Sequence, residues 1–145
     1  FDNKVPSYEN KLAKNELSML TKTAVENYIN NFDSLKLDQA AKDILNLAIK
    51  TNLYLNDKQP WNLIKEESKI TQVKEIIYSV LESTRIIGLL LRPILPELSL
   101  NIDSQIGNLF SKDIPWKEQL QWGKLIENSE LPEPIPVIRK LEYEK

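Results

Sequence analysis

The side chains best suited to recognition chemistry gather in one run, Asn52-Leu53-Tyr54-Leu55-Asn56-Asp57-Lys58-Gln59-Pro60-Trp61. Asn52, Asn56 and Gln59 carry amides that can both donate and accept hydrogen bonds. Lys58 and, a little further on, Lys65 bring positive charge. Pro60 suits a first helical position, where its missing N–H would have had no partner anyway. Trp61 is thereby fixed at the start of a helix, beside a corner. A large ring held there is either a core plug or an exposed stacking platform, and the apolar bulk of tryptophan by itself favours the core.

Other chemistry is poorly supplied. The sequence has no Cys and no His. That excludes disulfides, thiolate–metal sites, imidazole ligands and a Ser-His-Asp triad. The acidic pairs Glu66-Glu67 and Glu142/Glu144 point to different parts of a helix surface and read as solvated charge. Three glycines cannot furnish a phosphate-cradling loop. No catalytic, cofactor-binding or metal-ligating residue is therefore assigned.

A chain of 145 residues, 41% hydrophobic and 28% charged, suits one soluble domain, 1–145, with a substantial core. Its net charge of −2 and pI of about 5.3 count against a general nucleic-acid binder. They leave room for a local patch that meets one loop. No apolar run reaches membrane-spanning length and no signal-peptide pattern opens the chain. The expected compartment is reducing and cytoplasmic.

The elements that must position the run are helices. Residues 1–7 read as a lead-in, with Ser7 able to cap a helix running to about Asn31. Leu17, Leu20, Ala24 and Tyr28, with Val25, Ile29 and Phe32 one step round, give it helical spacing. Asp33-Ser34 is expected to end it and to cap a second helix over about Leu35–Leu55. The stripe expected there is Leu37, Ala40, Ala41, Ile44, Leu45, Ala48 and Leu55, with Asn52 on the same face. A buried amide without a partner costs about 1–3 kcal/mol, so Asn52 is expected to tie down the Asp57–Trp61 turn by bonding its backbone.

A short helix is expected from Pro60 to about Ser68, then a fourth over Thr71–Leu91. Val73, Ile76, Ile77, Val80, Thr84, Ile87 and Leu91 form the expected buried side of the fourth. Gly88 inside it implies a close helix–helix approach. Pro93 stops it, and Pro96 starts the next, with Leu95, Leu98, Ile102, Ile106 and Leu109 as its stripe. Pro115-Trp116 opens a last short helix that Gly123 ends. Residues 124–145 hold Pro132, Pro134 and Pro136 and read as an extended strap lying over the rest. Short loops favour antiparallel neighbours. The expected fold is all-α: an antiparallel helical bundle of about five main helices with a C-terminal strap.

Asn52-x-Tyr54, a short polar turn and Pro60-Trp61 resemble the signature of the anticodon-binding domain of methionyl-tRNA synthetases. Arg92-Pro93-Ile94-Leu95-Pro96-Glu97-Leu98 resembles the Pro-x-x-Pro helix junction of that family. Pro136-Val137-Ile138-Arg139-Lys140-Leu141-Glu142 resembles its closing Pro-Leu-Phe-x-Arg-Ile-Glu segment, with Ile138 where Phe is usual. The resemblance runs from about Leu17 to the end, with the motifs in family order.

It implies a tRNA-binding domain that reads the methionine anticodon by stacking and by hydrogen bonds to unpaired loop bases. In the family, the residue matching Trp61 contacts the first anticodon base. Asn52, Pro60, Asn56 and Gln59 join Trp61 as the implied anticodon site, with Lys58 and Lys65 as phosphate contacts. Asn52 thus has a second reading, a direct base contact. The family also reads with an Asn and an Arg on a helix before the region where this chain begins.

The catalytic signatures of the family, His-x-Gly-His and Lys-Met-Ser-Lys-Ser, and its zinc knuckle are missing. The implied piece of a ligase is inactive alone and holds no cofactor. Its full enzyme uses ATP with Mg2+ and methionine. The implied partners are tRNA and the catalytic domain of the same chain, not DNA or a membrane. Trp116 and Trp122 carry no family role and are expected to pack in the core or under the strap. One alternative is the matching domain of a class I synthetase for isoleucine, valine or cysteine; Asn-x-Tyr before Pro-Trp favours methionine. Another is a helical protein-interaction module without RNA function, favoured by the acidic pI and disfavoured by the motif order.

Overall fold

A computed structural model describes Pro6, residues 15–106, Phe110 and residues 113–125. Its elements are α1 (Glu16–Asp33), α2 (Leu37–Lys58), α3 (Pro60–Leu63), a 3-10 turn (Glu67–Lys69), α4 (Ile70–Leu91), α5 (Pro96–Ile106) and α6 (Trp116–Gln119). The expected all-α bundle is what forms. Among the described residues there is no strand, and no helix is long and apolar enough to cross a membrane.

Asn15 sets the start of α1. Its backbone is extended, at φ −122° and ψ 177°. Its Oδ1 accepts from Ser18 N at 2.8 Å, and Ser18 Oγ accepts from Asn15 N at 2.8 Å. This is a capping box with Ser where Glu or Gln is usual. The start expected at Ser7 lies outside the described residues, as does the strap beyond Leu125.

The turn into α2 differs from expectation. Leu35 adopts the left-handed region at φ 60°, and Lys36 N reaches back to Asn31 O at 2.8 Å. This Schellman-type ending uses up Asp33 and Ser34, so neither caps the next helix. The N-cap of α2 is Lys36, which makes no side-chain cap bond.

α4 is the spine, packed against α1, α2, α3, α5 and α6. Pro93 has no N–H, and the chain turns at Arg92–Ile94, so the carbonyls of Gly88, Leu89 and Leu90 lack their usual helical partners. Three other elements supply donors. Ser99 Oγ donates to Gly88 O at 2.6 Å, Trp116 Nε1 to Leu89 O at 2.8 Å and Tyr28 Oη to Leu90 O at 2.8 Å. Burial pushes the Tyr28 phenol up to about 12.

Gly88 explains the approach of α5. A Cβ there would lie 2.8 Å from Ile102 Cγ2 and 2.9 Å from Phe110 Cζ. The expected close helix–helix contact is present. Trp116 also tilts against Tyr28, with ring centroids 6.0 Å apart, and Trp122 packs on the core, so both take structural places.

One feature of α4 went unread in the sequence. Glu82 and Arg85 are fully buried and paired. Glu82 Oε2 accepts from Gly123 N and Leu125 N, each at 2.9 Å. Arg85 donates through Nη1 to Gln119 O at 2.6 Å and through Nη2 to Gln121 O at 2.8 Å. The pair thus clamps the backbone of residues 119–125 onto the spine. Gly123 accommodates the bend at φ 96°, a left-handed conformation that side-chain-bearing residues disfavour.

Candidate nucleic-acid interface

The buried face of α2 is Ala40, Ile44, Leu47, Thr51 and Tyr54. Their spacing of four, three, four and three residues is that of one continuous helical seam. Thr51 Oγ1 bonds Leu47 O and meets Ser83 Oγ of α4, both at 2.8 Å. The expected stripe is therefore rotated. Leu37, Ala41, Leu45 and Asn52 are exposed, and the burial argument for Asn52 does not apply.

The expected polar turn is corrected as well. Asn56, Asp57 and Lys58 continue α2, and the corner is Gln59 alone. Gln59 sits in the left-handed region, at φ 48° and ψ 61°. Its N–H closes α2 on Leu55 O at 3.1 Å, and its carbonyl accepts from Asn62 N at 3.0 Å and Leu63 N at 3.2 Å to open α3. Backbone bonds thus do the work expected of the Asn52 side chain.

Pro60 is buried at the first position of α3. Leu63, three residues on, packs against the cluster of Leu17, Tyr54 and Ile76. With positions 60 and 63 turned inward on one helical turn, Trp61 is turned outward and is 50% exposed. Ile64 beside it is also exposed. The corner holds the ring as a platform and not as a plug.

The other expected residues fall in three places. Asn52 and Asn56 lie one helical turn apart on the exposed side of α2. Gln59 stands at the corner, where its Oε1 accepts from Asn62 Nδ2 at 2.8 Å. Lys58 Nζ lies 5.8 Å from the centroid of the Tyr54 ring, a cation–π contact that turns it back over α2. Lys65 is exposed in the turn after α3, near the exposed acids Glu66 and Glu67. Asn62 was missed in the sequence. Its signal was its place three residues after Gln59, the capping-box interval. An exposed indole flanked by exposed amides can stack on a flat ring and read polar edges.

A family model for the anticodon binding domain of methionyl tRNA ligase matches residues 5–144. The chain belongs to this family. Among its relatives, the methionine–tRNA ligase of Synechocystis sp. is 34% identical over 138 residues, which cover 88% of this chain and 26% of the relative. That of Nostoc sp. is 33% identical over 119 residues, covering 79% and 22%. The chain thus spans about a quarter of the length of these relatives.

The free-state crystal structure of Mycobacterium tuberculosis methionyl-tRNA synthetase shares the fold. Its TM-score is 0.78 at 22% identity, over 92% of this chain and 27% of that one. The same enzyme bound by methionyl-adenylate matches with a TM-score of 0.79, at 22% identity, over 94% and 27%. Membership of the methionyl-tRNA ligase family decides against the isoleucine, valine and cysteine alternatives. In this chain the corner pairs an exposed Gln59 with a buried Pro60 and carries an exposed ring.

Proposed function

We propose that this chain is the tRNA-reading domain of a methionine–tRNA ligase and that Trp61 stacks on an unpaired base of the methionine anticodon. The observation that carries the reading is the half-exposed indole, held at a corner by the buried Pro60 and the partly buried Leu63 within a domain of this family. Asn52, Asn56 and Gln59 are the donors and acceptors for base edges, and Lys58 and Lys65 balance phosphate charge. The exposed side of the Asn52 amide supports a base contact over a structural tie. A few local cations suffice for an acidic domain that meets a single loop. Methionine, ATP and Mg2+ are used by a catalytic domain elsewhere in the same ligase, in the cytoplasm, and this domain presents the tRNA to it.

The test is Trp61→Ala in the full-length ligase, with affinity for a methionine-anticodon stem-loop and thermal unfolding measured together. Loss of a stacked base is expected to weaken binding by about 1–3 kcal/mol. That is about 5- to 150-fold in affinity. The melting temperature should hardly move, because a half-exposed ring leaves little cavity. A folded variant that still discriminates the anticodon as well as the parent would overturn the role.

A further inference from the structure

Beside the exposed ring of Trp61 stands a pair of amides whose bond the fold does not need. Asn62 Nδ2 donates to Gln59 Oε1 at 2.8 Å, and both side chains are exposed. The corner is already closed by backbone bonds, from Gln59 N to Leu55 O at 3.1 Å and from Asn62 N to Gln59 O at 3.0 Å. A side-chain bond in water adds little to them. Gln59 also sits at φ 48°, where glycine or asparagine is the usual residue.

The pair lies where a stacked base would present its edge. Trp61 and Ile64, three residues apart and 50% and 45% exposed, share one side of the turn and form an apolar patch. Asn62 follows Trp61 by about 100° round the helix, so its amide borders that patch. One N–H of Asn62 is committed to Gln59, while its other N–H and its Oδ1 have no partner among the described residues. A primary amide in that state offers one donor and one acceptor side by side, the pattern that meets a base edge in two hydrogen bonds. The bond to Gln59 also fixes the order of the two. Turning the Asn62 amide over would set its oxygen against Gln59 Oε1.

We infer that Asn62 is a specificity-determining residue of this site, selecting a base with an amino group beside a ring acceptor, cytosine or adenine, and that Gln59 is its positioning residue. The inference rests on the reading that Trp61 stacks on an anticodon base. Cytosine and uracil have nearly the same outline. Yet cytosine sets an amino donor beside a ring acceptor where uracil sets a carbonyl oxygen beside a ring N–H, and adenine and guanine differ in the same sense. Stacking holds a base flat but tolerates all four, because each has a π-face. An amide of fixed order accepts from the amino group and donates to the ring nitrogen. Against a keto base it sets donor on donor and oxygen on oxygen. The methionine anticodon, as the complement of the codon AUG, supplies both amino bases.

The experiment measures the affinity of the full-length ligase for a methionine-anticodon stem-loop and for two single-base variants of it, cytosine to uracil and adenine to guanine. Asn62→Leu keeps the size of the side chain and removes the amide. It should shrink the preference for the parent stem-loop over one of the two variants by about tenfold, the discrimination a two-bond contact carries. Unchanged preferences, or a loss of affinity equal for all three stem-loops, would overturn the inference. Two changes at Gln59 test the positioning. Gln59→Glu can only accept, so it still holds the Asn62 N–H and should keep the preference. Gln59→Gly suits the left-handed corner, removes the partner and should lose most of the preference. The same preference in both would overturn the positioning role. Trp61→Ala in the same assays reports separately on the proposed function, because loss of stacking should weaken all three stem-loops alike.

Discussion

α2 and α4 are both 22 residues long, yet they have opposite surroundings. α4 buries thirteen of its residues and α2 only five. A helix enclosed on most sides must satisfy every polar group internally. α4 does so, with its last carbonyls bonded by Ser99, Trp116 and Tyr28 and its buried charges paired and bonded to backbone. α2 keeps one seam in the core and leaves its far side, with Asn52 and Asn56, in contact with solvent. The enclosed part of the domain and the part proposed to meet RNA are thus neighbouring helices of equal length, separated by how many faces each has covered.

The largest expected effect tests the spine. Glu82→Ala leaves Arg85 as a buried charge without its carboxylate and two backbone N–H groups without an acceptor. It should cost about 3–5 kcal/mol, read as a shift in the denaturant midpoint. Asn52→Ala, on the exposed side of α2, should change stability by less than about 0.5 kcal/mol. Similar costs for the two would abolish the contrast between the helices.

Gly88→Ala comes next. On an open helix face alanine would gain about 1 kcal/mol over glycine. Here the new methyl meets Ile102 and Phe110 well inside normal contact. Net destabilisation of about 1–3 kcal/mol is expected from overpacking. A gain in thermal stability would mean that α5 can retreat from α4.

Alkaline titration sharpens the comparison further. The Tyr28 phenol is held up to about 12, against 10.0 for an unperturbed one. The unfolded chain loses this proton first, so the contribution to stability is complete below pH 10 and is lost as the pH rises through about 12. Tyr28→Phe should flatten the decline of stability with pH in that window. An unchanged decline would show that other groups govern it.

The smallest effect concerns the entrance to α2. Leu35 is held at φ 60° with its side chain 84% exposed, so it gains nothing from burial to offset the strained backbone. Leu35→Gly should stabilise the domain by about 0.5–1 kcal/mol in thermal unfolding. A loss would show that the Leu35 side chain contributes more to stability than its left-handed backbone costs.

Local chemistry in the chain determined a good deal by itself. Apolar spacing and proline placement located the helices, because each must turn an apolar face inward and Pro cannot continue one. Pro60 put Trp61 at a corner, and Gly88 announced a close crossing. Tertiary packing alone decided which side of α2 went inward. Leu37, Ala41, Leu45, Ile49 and Leu53 are as apolar as the seam that was chosen, and Thr51 looks like a surface residue until Ser83 stands opposite it. Nothing in the sequence sets Glu82 and Arg85 apart from an ordinary surface i, i+3 pair, and only the backbone of residues 119–125, brought in by folding, gives them buried partners. A sequence states what each side chain could satisfy, but the partner that satisfies it comes from another element, and only the folded chain brings the two together.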